Sequence, residues 1–249
     1  EDGVALPDKD RARTEAAAWL DRQDPRGPQL WVRINAETPE QDIRAVAGAV
    51  LCGVVVPKAE PENLAVIDQL LTRAEQSVGL PAGQLGVVPL IESARGLLLV
   101  HDVARASRVA RLGLGEVDLA AELGMAPSPD RAEMTPLRLQ LVVASAAAGI
   151  GRPVAPTSTD FRDLDAFRAS AQALLRLGFR ARTAIHPAQL AVIHDVFTPS
   201  AEQLSAARDV VARFEAAGGG VVTDAAGKMV DLAVVRSARE VLATRPRPH

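Results

Sequence analysis

Short apolar runs rich in β-branched residues alternate six times with longer segments of helical periodicity along the chain. The runs cover residues 30–35, 53–59, 85–93, 109–119, 152–157 and 182–187. Each is followed by a stretch with apolar residues at helical spacing, several of which open on proline, a residue favoured in the first turn of a helix. Repeated strand–helix units of this kind predict an α/β fold with a parallel sheet.

The strands are apolar on both faces, which suits either a doubly wound sheet or a (β/α)₈ TIM barrel. No G-x-G-x-x-G or G-x-x-x-x-G-K-[ST] motif follows any predicted strand, so nothing favours a doubly wound nucleotide-binding fold. A barrel needs eight units and six are visible. Because the chain opens on EDGV, as though at the end of a strand, we expect the first N-terminal strand or strands to be missing from it.

The C-terminal part has a different pattern, in which a helix ended by glycines leads to a turn and a last helix. We interpret residues 1–249 as one barrel domain. Within it, residues 199–249 are expected to form a C-terminal helical extension that packs on the barrel or on a neighbouring subunit.

Composition limits the function classes. The formal net charge is −3 and the pI is about 5.9, so no basic surface indicates nucleic acid. A single cysteine, Cys52, fits a reducing cytoplasm. The longest apolar stretch, residues 45–56, is too short and too rich in glycine to span a membrane.

Polar side chains follow the predicted strands, at the edge where a barrel of this kind holds its active site. Two carboxylates, Glu92 and Asp118, end successive predicted strands. Arg33 lies near the end of a strand that comes two strands before the one that Glu92 ends. Carboxylate oxygens are hard ligands suited to Mg²⁺, which otherwise keeps water or substrate oxygens. The remaining candidates are Asn35, Lys58, Glu60 and His186, with Glu1 and Asp2 if EDGV ends a strand.

Structural roles compete with these assignments. A lone acid at a strand end is often a helix cap or an arginine's partner. Lys58 suits a Schiff base or a charge pair with Glu60, and His186 suits a structural bond to a backbone carbonyl. The sequence has no Cys/His cluster with zinc spacing and no G-x-S-x-G elbow.

Seven motifs occur in the order found in one family: EDGV, VRIN, PKAE, PLIESARGL, GEVDL, AIHPAQL and GKMVD. In this the chain resembles the citrate lyase β-subunit-like proteins of the HpcH/HpaI aldolase group. The resemblance implies a TIM barrel with Mg²⁺ bound by Glu92 and Asp118. It also implies that Arg33 grips the substrate beside the metal and that Glu92 contacts the substrate.

The same resemblance implies that Glu1 and Asp2 form an acidic pair supporting the site. Asp231 corresponds to an acid/base that a neighbouring subunit delivers, so a homo-oligomer, a trimer, is expected. The implied reaction is cleavage of a β-hydroxyacyl thioester of CoA or of an acyl-carrier protein, citryl-, malyl- or citramalyl-CoA-like, to a 2-oxo acid and an acyl thioester. The alternatives are a metal-dependent pyruvate-type aldolase, a malyl-CoA-type thioesterase and a non-catalytic homologue.

The sequence departs from the family pattern at three places, which bear on which thioester the protein binds. The acid usually found beside Asp118 is Val117, with Glu116 one place earlier. A Gly-Lys pair is replaced by Ala181 and Arg182, which indicates a change in how the nucleotide part is held. The segment GMAPSPDRAEMTP is shorter than the loop expected after Asp118.

Overall fold

Six parallel strands form one curled sheet in chain order, so each strand pairs with the one before and the one after it. The computed structural model describes residues 3–224 and 227–244. The strands are β1 (Leu30–Arg33), β2 (Leu51–Val56), β3 (Gly86–Ile91), β4 (Arg111–Leu114), β5 (Gly151–Ala155) and β6 (Ala181–Arg182). The predicted α/β fold with a parallel sheet is therefore confirmed, and the curled six-stranded sheet has the form of a half-barrel.

Helices lie between the strands and cover the outer face of the sheet. They are α1 (Lys9–Leu20), α2 (Pro39–Val46), α3 (Pro61–Val78), α4 (Ala94–Leu98), α5 (Val100–Arg105), α6 (Glu116–Glu122), α7 (Thr135–Ala148), α8 (Leu164–Leu177) and α9 (Ala188–Phe197). The helices α3, α7 and α8 each end at a glycine with positive φ, the conformation that only glycine adopts without a steric cost.

The core lies between this sheet and its helices. It includes buried side chains from β2 and β3, such as Val54, Val56 and Ile91, packed with Leu64 and Leu71 of α3. Strands β2 and β3 have buried side chains on both faces of the sheet, which is why they are almost continuously apolar. Their carboxyl ends are where the chain turns polar.

Two predicted strand ends are wrong. Pairing of the last strand stops after Arg182, because the amide groups of Ile185 and His186 bond the Gln189 side chain, and α9 begins after Pro187. The segment 109–119 is also mostly not a strand. β4 ends at Leu114 and α6 begins at Glu116, so Asp118 lies in the first turn of a helix.

The C-terminal segment consists of α10 (Ala201–Ala216), a hairpin of β7 (Val222–Thr223) and β8 (Met229–Val230), and α11 (Leu232–Ala243). It has a small core of its own around Phe214, Val230 and Val235. Glu240 of α11 pairs with Arg152 at 3.0 Å and with Arg180 at 3.1 Å. The expectation that this segment also packs on a neighbouring subunit stays a prediction.

Over the described ranges, none of the helices combines the length and the apolar character needed to cross a lipid bilayer.

Candidate metal and substrate site

Glu92 directly follows β3 and is buried, with 8% of its surface exposed. Its Oε2 accepts a hydrogen bond from the backbone N–H of Lys58 at 2.9 Å. Lys58 has φ of 47°, a left-handed conformation that is uncommon for a residue with a side chain. The end of β2 is therefore shaped to aim an N–H group at the carboxylate that ends β3.

The other side of the Glu92 carboxyl group faces Gly115, the residue between β4 and α6. A Cβ atom added at Gly115 would lie 2.5 Å from Cγ of Glu92 and 2.8 Å from its Cδ. Real Cβ atoms do not approach other heavy atoms that closely. Glycine at position 115 thus leaves the space that the Glu92 carboxylate occupies.

Asp118 lies three residues after Gly115, in the first turn of α6, and its side chain is exposed. No hydrogen bond or ion pair within the described residues uses its carboxylate. Glu116, in contrast, is buried and bound by Arg138, with Nε–Oε1 at 2.5 Å, and by Arg131 at 3.3 Å. Glu116 of the GEVD motif therefore belongs to an internal ion pair. Asp118 is the exposed acid of the motif and is available to a ligand.

Arg33 is the last residue of β1 and is exposed at the same edge of the sheet. The turn after it is held by a polar network that the sequence did not reveal. Lys9 donates to the side-chain oxygen of Asn35 at 2.5 Å, and the buried Asp42 accepts from both the backbone and the side chain of Asn35 at 2.6 Å. Arg13 binds the second oxygen of Asp42 at 2.7 Å.

Lys58 and Glu60 do not pair with each other in the described part of the chain. Glu60 caps α3 and binds Ser93 and Arg95. The predicted charge pair is wrong, because the acid is taken up by the neighbouring βα-loop. The exposed Lys58 side chain makes no ion pair there.

Arg182 is buried and its bonds are internal. It donates to the backbone oxygens of Pro156 and Phe167 at 3.2 and 3.0 Å and to Ser170 at 2.8 Å, and it lies over the Phe167 ring. Burial lowers the pKa of its guanidinium to about 10. The residue that replaces the family's lysine is thus bound to α8 and to Pro156, the residue that follows β5.

His186 is exposed, stacks on Phe161 with ring centroids 4.7 Å apart, and accepts from the backbone N–H of Ala188 through Nδ1. The predicted bond to a backbone carbonyl is absent from the part of the chain that the structure describes, where the ring instead accepts from the first residue of α9. Asp231 caps α11 by accepting from the N–H groups of Ala233 and Val234 at 2.9 and 3.0 Å. Glu1 and Asp2 lie outside the described residues.

The carboxylate oxygens at the edge formed by β3 and β4 are suitable ligands for a divalent cation. Within the described residues no group of three or more His, Cys, Asp or Glu side chains has a metal-binding arrangement. The Glu92 carboxylate packs against Gly115, and Asp118 lies three residues after Gly115 in the first turn of α6. Both side chains supply only oxygen ligands. Mg²⁺ characteristically binds one or two carboxylates and completes its shell with water or substrate oxygens, so these residues fit it.

Three comparisons show what the chain is similar to. The chain is 32% identical over 250 residues to the citrate lyase subunit beta of Leuconostoc mesenteroides subsp. cremoris, covering 97% of this chain and 82% of that protein. It is 31% identical over 269 residues to an L-malyl-CoA/β-methylmalyl-CoA lyase of Cereibacter sphaeroides, covering 97% and 84%.

A crystal structure of the protein CitE from Mycobacterium tuberculosis, in complex with magnesium, acetoacetate and coenzyme A, has a similar fold. The TM-score is 0.74 at 28% identity, and the match covers 98% of this chain and 86% of that one. The model of the HpcH/HpaI aldolase/citrate lyase family matches residues 1–187. That match covers most of the chain, from Glu1 through the loop that follows β6. The chain therefore belongs to the HpcH/HpaI aldolase/citrate lyase family.

Proposed function

We propose that this protein is a Mg²⁺-dependent carbon–carbon lyase acting on a β-hydroxyacyl thioester of the citryl-, malyl- or citramalyl-CoA type. The products are a 2-oxo acid and an acyl thioester. The observation that carries the proposal is the buried Glu92 carboxylate at the end of β3, oriented by the Lys58 N–H and by the space at Gly115. The exposed Asp118, in the first turn of the helix that follows β4, is the second acid at this edge of the sheet. Relatives named citrate lyase subunit beta and malyl-CoA lyase support the thioester substrate.

Glu92 and Asp118 are the residues that would hold Mg²⁺. When bound, the ion supplies Lewis-acid polarisation of the substrate oxygens. Arg33, at the end of β1, donates to the oxygen on which negative charge grows during bond cleavage.

The bond changes balance without any further reagent. The hydroxyl proton leaves to a base, the hydroxyl oxygen becomes the carbonyl oxygen of the 2-oxo acid, and the carbon–carbon bond breaks. Its electron pair becomes the enolate of the acyl thioester. Asp231, provided by a neighbouring subunit, protonates the enolate carbon.

The proposal also includes the complete barrel fold and the oligomeric state of the protein. Six parallel strands in sequential order are what consecutive strands of an eight-stranded (β/α)₈ barrel form, and we assign the functional fold to that barrel. We further assign the protein to a homotrimer in the cytoplasm. Light scattering coupled to size-exclusion chromatography measures the trimer directly, and a monomeric mass for the active protein would contradict it.

The experiment that tests the proposal compares Glu92→Gln with Glu62→Gln in an assay for 2-oxo acid release from malyl-CoA, citramalyl-CoA and citryl-CoA. Removing a metal ligand should lower the rate at least about 100-fold, since Lewis-acid stabilisation contributes several kcal/mol. Glu62 is an exposed acid of α3 paired with Arg95, and its substitution should leave the rate unchanged. Equal rates for the wild type and Glu92→Gln would contradict the proposal.

A further inference from the structure

Lys58, at the end of β2, carries a charged side chain that the proposed chemistry does not use. Its ammonium group makes no hydrogen bond and no ion pair within the described residues, and the side chain is exposed. The backbone of Lys58, in contrast, is fixed. Its N–H donates to Glu92, and its carbonyl oxygen accepts from the side-chain amide of Asn63, each at 2.9 Å. The side chain is therefore the part of Lys58 that remains free to meet a ligand.

Basic side chains at the neighbouring strand ends differ from Lys58, because they have partners within the chain. Lys9 donates to Asn35 in the turn after β1, and Arg95, which follows β3, pairs with Glu60. Glu60 is only two residues from Lys58, yet its carboxylate binds Arg95 and not the lysine. The chain thus leaves the charge of Lys58 uncompensated among the described residues, although an acid is close to it.

The backbone conformation of Lys58 does not explain why a lysine occupies this position. Its φ of 47° carries a steric cost for a residue with a Cβ atom and none for glycine. The hydrogen bond to Glu92 uses the backbone N–H, which every residue except proline supplies. Non-glycine residues held in such conformations are concentrated at active sites and ligand-binding sites. We therefore looked for a role of the side chain outside the folded chain itself.

The ammonium group stays near the Glu92 carboxylate in every rotamer of Lys58. The backbone nitrogen of Lys58 lies 2.9 Å from Oε2 of Glu92. Because Cα is about 1.5 Å from that nitrogen and an extended lysine side chain reaches about 6.4 Å from Cα, Nζ is at most about 11 Å from Oε2. This upper limit is close to the Debye length of about 8–10 Å, and a side chain that folds back comes nearer. A positive charge is therefore always present beside this candidate metal ligand.

The charges at this edge of the sheet indicate which ligand group the ammonium meets. Glu92 and Asp118 together offset the charge of one divalent ion. The 2-oxo acid of the proposed reaction adds a third carboxylate, next to the oxygen that the ion polarises, and one negative charge is then uncompensated. An ammonium group binds a carboxylate through a charge-assisted hydrogen bond, which is stronger than a neutral one. The charge of Lys58 therefore matches that of the incoming carboxylate.

We propose that Lys58 is a substrate-binding residue whose ammonium group holds the carboxylate of the 2-oxo acid part of the substrate. The inference rests on the proposed function for the identity of the ligand. The task of Lys58 differs from that of Arg33, which donates to the oxygen that gains negative charge. Because all 2-oxo acids have this carboxylate, the contact contributes to their binding in general and does not select among acyl groups.

The test compares Lys58→Met with Lys58→Arg. Both variants keep the backbone N–H that holds Glu92, but only Lys58→Arg keeps a positive charge. The matched control is Arg26→Met, which removes an exposed cation from the loop before β1, at the opposite edge of the sheet. Thermal unfolding of the three variants checks that they fold as the wild type does.

Calorimetry measures the binding of Mg²⁺, of acetyl-CoA, and of pyruvate, glyoxylate and oxaloacetate with Mg²⁺ present. Lys58→Met should weaken binding of the 2-oxo acids at least about tenfold, the effect of losing a hydrogen bond to a charged group. Lys58→Arg should recover most of this loss, and Arg26→Met should change nothing. Acetyl-CoA lacks the carboxylate and should bind all variants equally. Mg²⁺ should bind Lys58→Met at least as tightly as the wild type, because a like charge near the ion has been removed.

Unchanged binding of the 2-oxo acids by folded Lys58→Met would overturn the inference, and so would wild-type protein that binds none of the three. Weaker Mg²⁺ binding by Lys58→Met would also overturn it, since the loss would then come from the support of Glu92. Because binding is measured without turnover, the outcome is separate from that of the proposed function. Protein that binds a 2-oxo acid in a Lys58-dependent way but cleaves no thioester would leave this inference standing and overturn the lyase assignment.

Discussion

Replacing Gly115 with alanine should weaken Mg²⁺ binding, because the added methyl group would occupy the position of the Glu92 carboxyl group. The new Cβ would lie 2.8 Å from Cδ of Glu92, whereas carbon atoms pack at about 3.5–4.0 Å. The carboxyl group must therefore move by about 1 Å. A hydrogen bond such as that from Lys58, now 2.9 Å, does not tolerate a shift of that size.

The magnitude follows from ligand linkage. At Mg²⁺ concentrations 100 times the dissociation constant, binding stabilises the wild type by about 2.7 kcal/mol. For a domain of this size that raises the Tm by roughly 5–11 °C. Disturbing the support of a metal ligand costs about 10–100-fold in affinity, and at the upper value the stabilisation falls to about 0.4 kcal/mol, or roughly 1 °C.

The assay is thermal unfolding with and without Mg²⁺ for the wild type, Gly115→Ala and Gly48→Ala. A Cβ atom at Gly48 meets nothing within 4 Å, so this control should respond to Mg²⁺ as the wild type does. If folded Gly115→Ala gained the full wild-type shift from Mg²⁺, the reasoning that Glu92 holds the ion in the space beside Gly115 would be refuted.

Two further predictions concern Asp231 and a buried ion pair. Asp231→Asn should keep the cap of α11 and the wild-type Tm but lose about 10²–10⁴-fold in rate, whereas Asp231→Ala should also lose about 1 kcal/mol of stability. Wild-type turnover by Asp231→Asn would rule out the acid role. Glu75 is fully buried; burial raises its pKa, but the hydrogen bonds from Arg108 and from two backbone N–H groups outweigh this and leave the pKa below its usual value. Its stabilising effect is therefore complete above the unfolded-state pKa of about 4.3 and lost as the pH falls through the folded-state value. Glu75→Gln should cost about 3–5 kcal/mol at pH 7 and flatten the acid limb of the stability curve, and an unchanged acid limb in urea titrations would contradict this.

The strand–helix order was predictable because it depends on local patterns. The runs at 30–35, 53–59 and 85–93 are apolar and include β-branched residues, and each overlaps a strand of the parallel sheet. The end of the sheet was not predictable in the same way. RTAIHP reads as a strand by composition, yet the side chain of Gln189 captures its amide groups and ends the pairing.

In the candidate site, too, some residues could be predicted from local sequence patterns and others could not. Glu92, Asp118 and Arg33 could be named because each stands near a predicted strand end. Their supports could not, because they depend on contacts between distant residues. Examples are the 26-residue separation of Lys9 from Asn35 and the packing of Gly115 against Glu92. Lys9 stands out in the sequence only as one of three lysines.

The most direct test of the lyase assignment is the product balance for the wild-type protein supplied with malyl-CoA, citramalyl-CoA and citryl-CoA. The account predicts that at least one is converted to equal amounts of a 2-oxo acid and an acyl-CoA. Chelation should stop the reaction and added Mg²⁺ should restore it. Free CoA released without a 2-oxo acid would indicate a thioesterase, and cleavage of free hydroxy acids alone would indicate an aldolase. Either result, or no turnover of any thioester with Mg²⁺ present, would contradict the account.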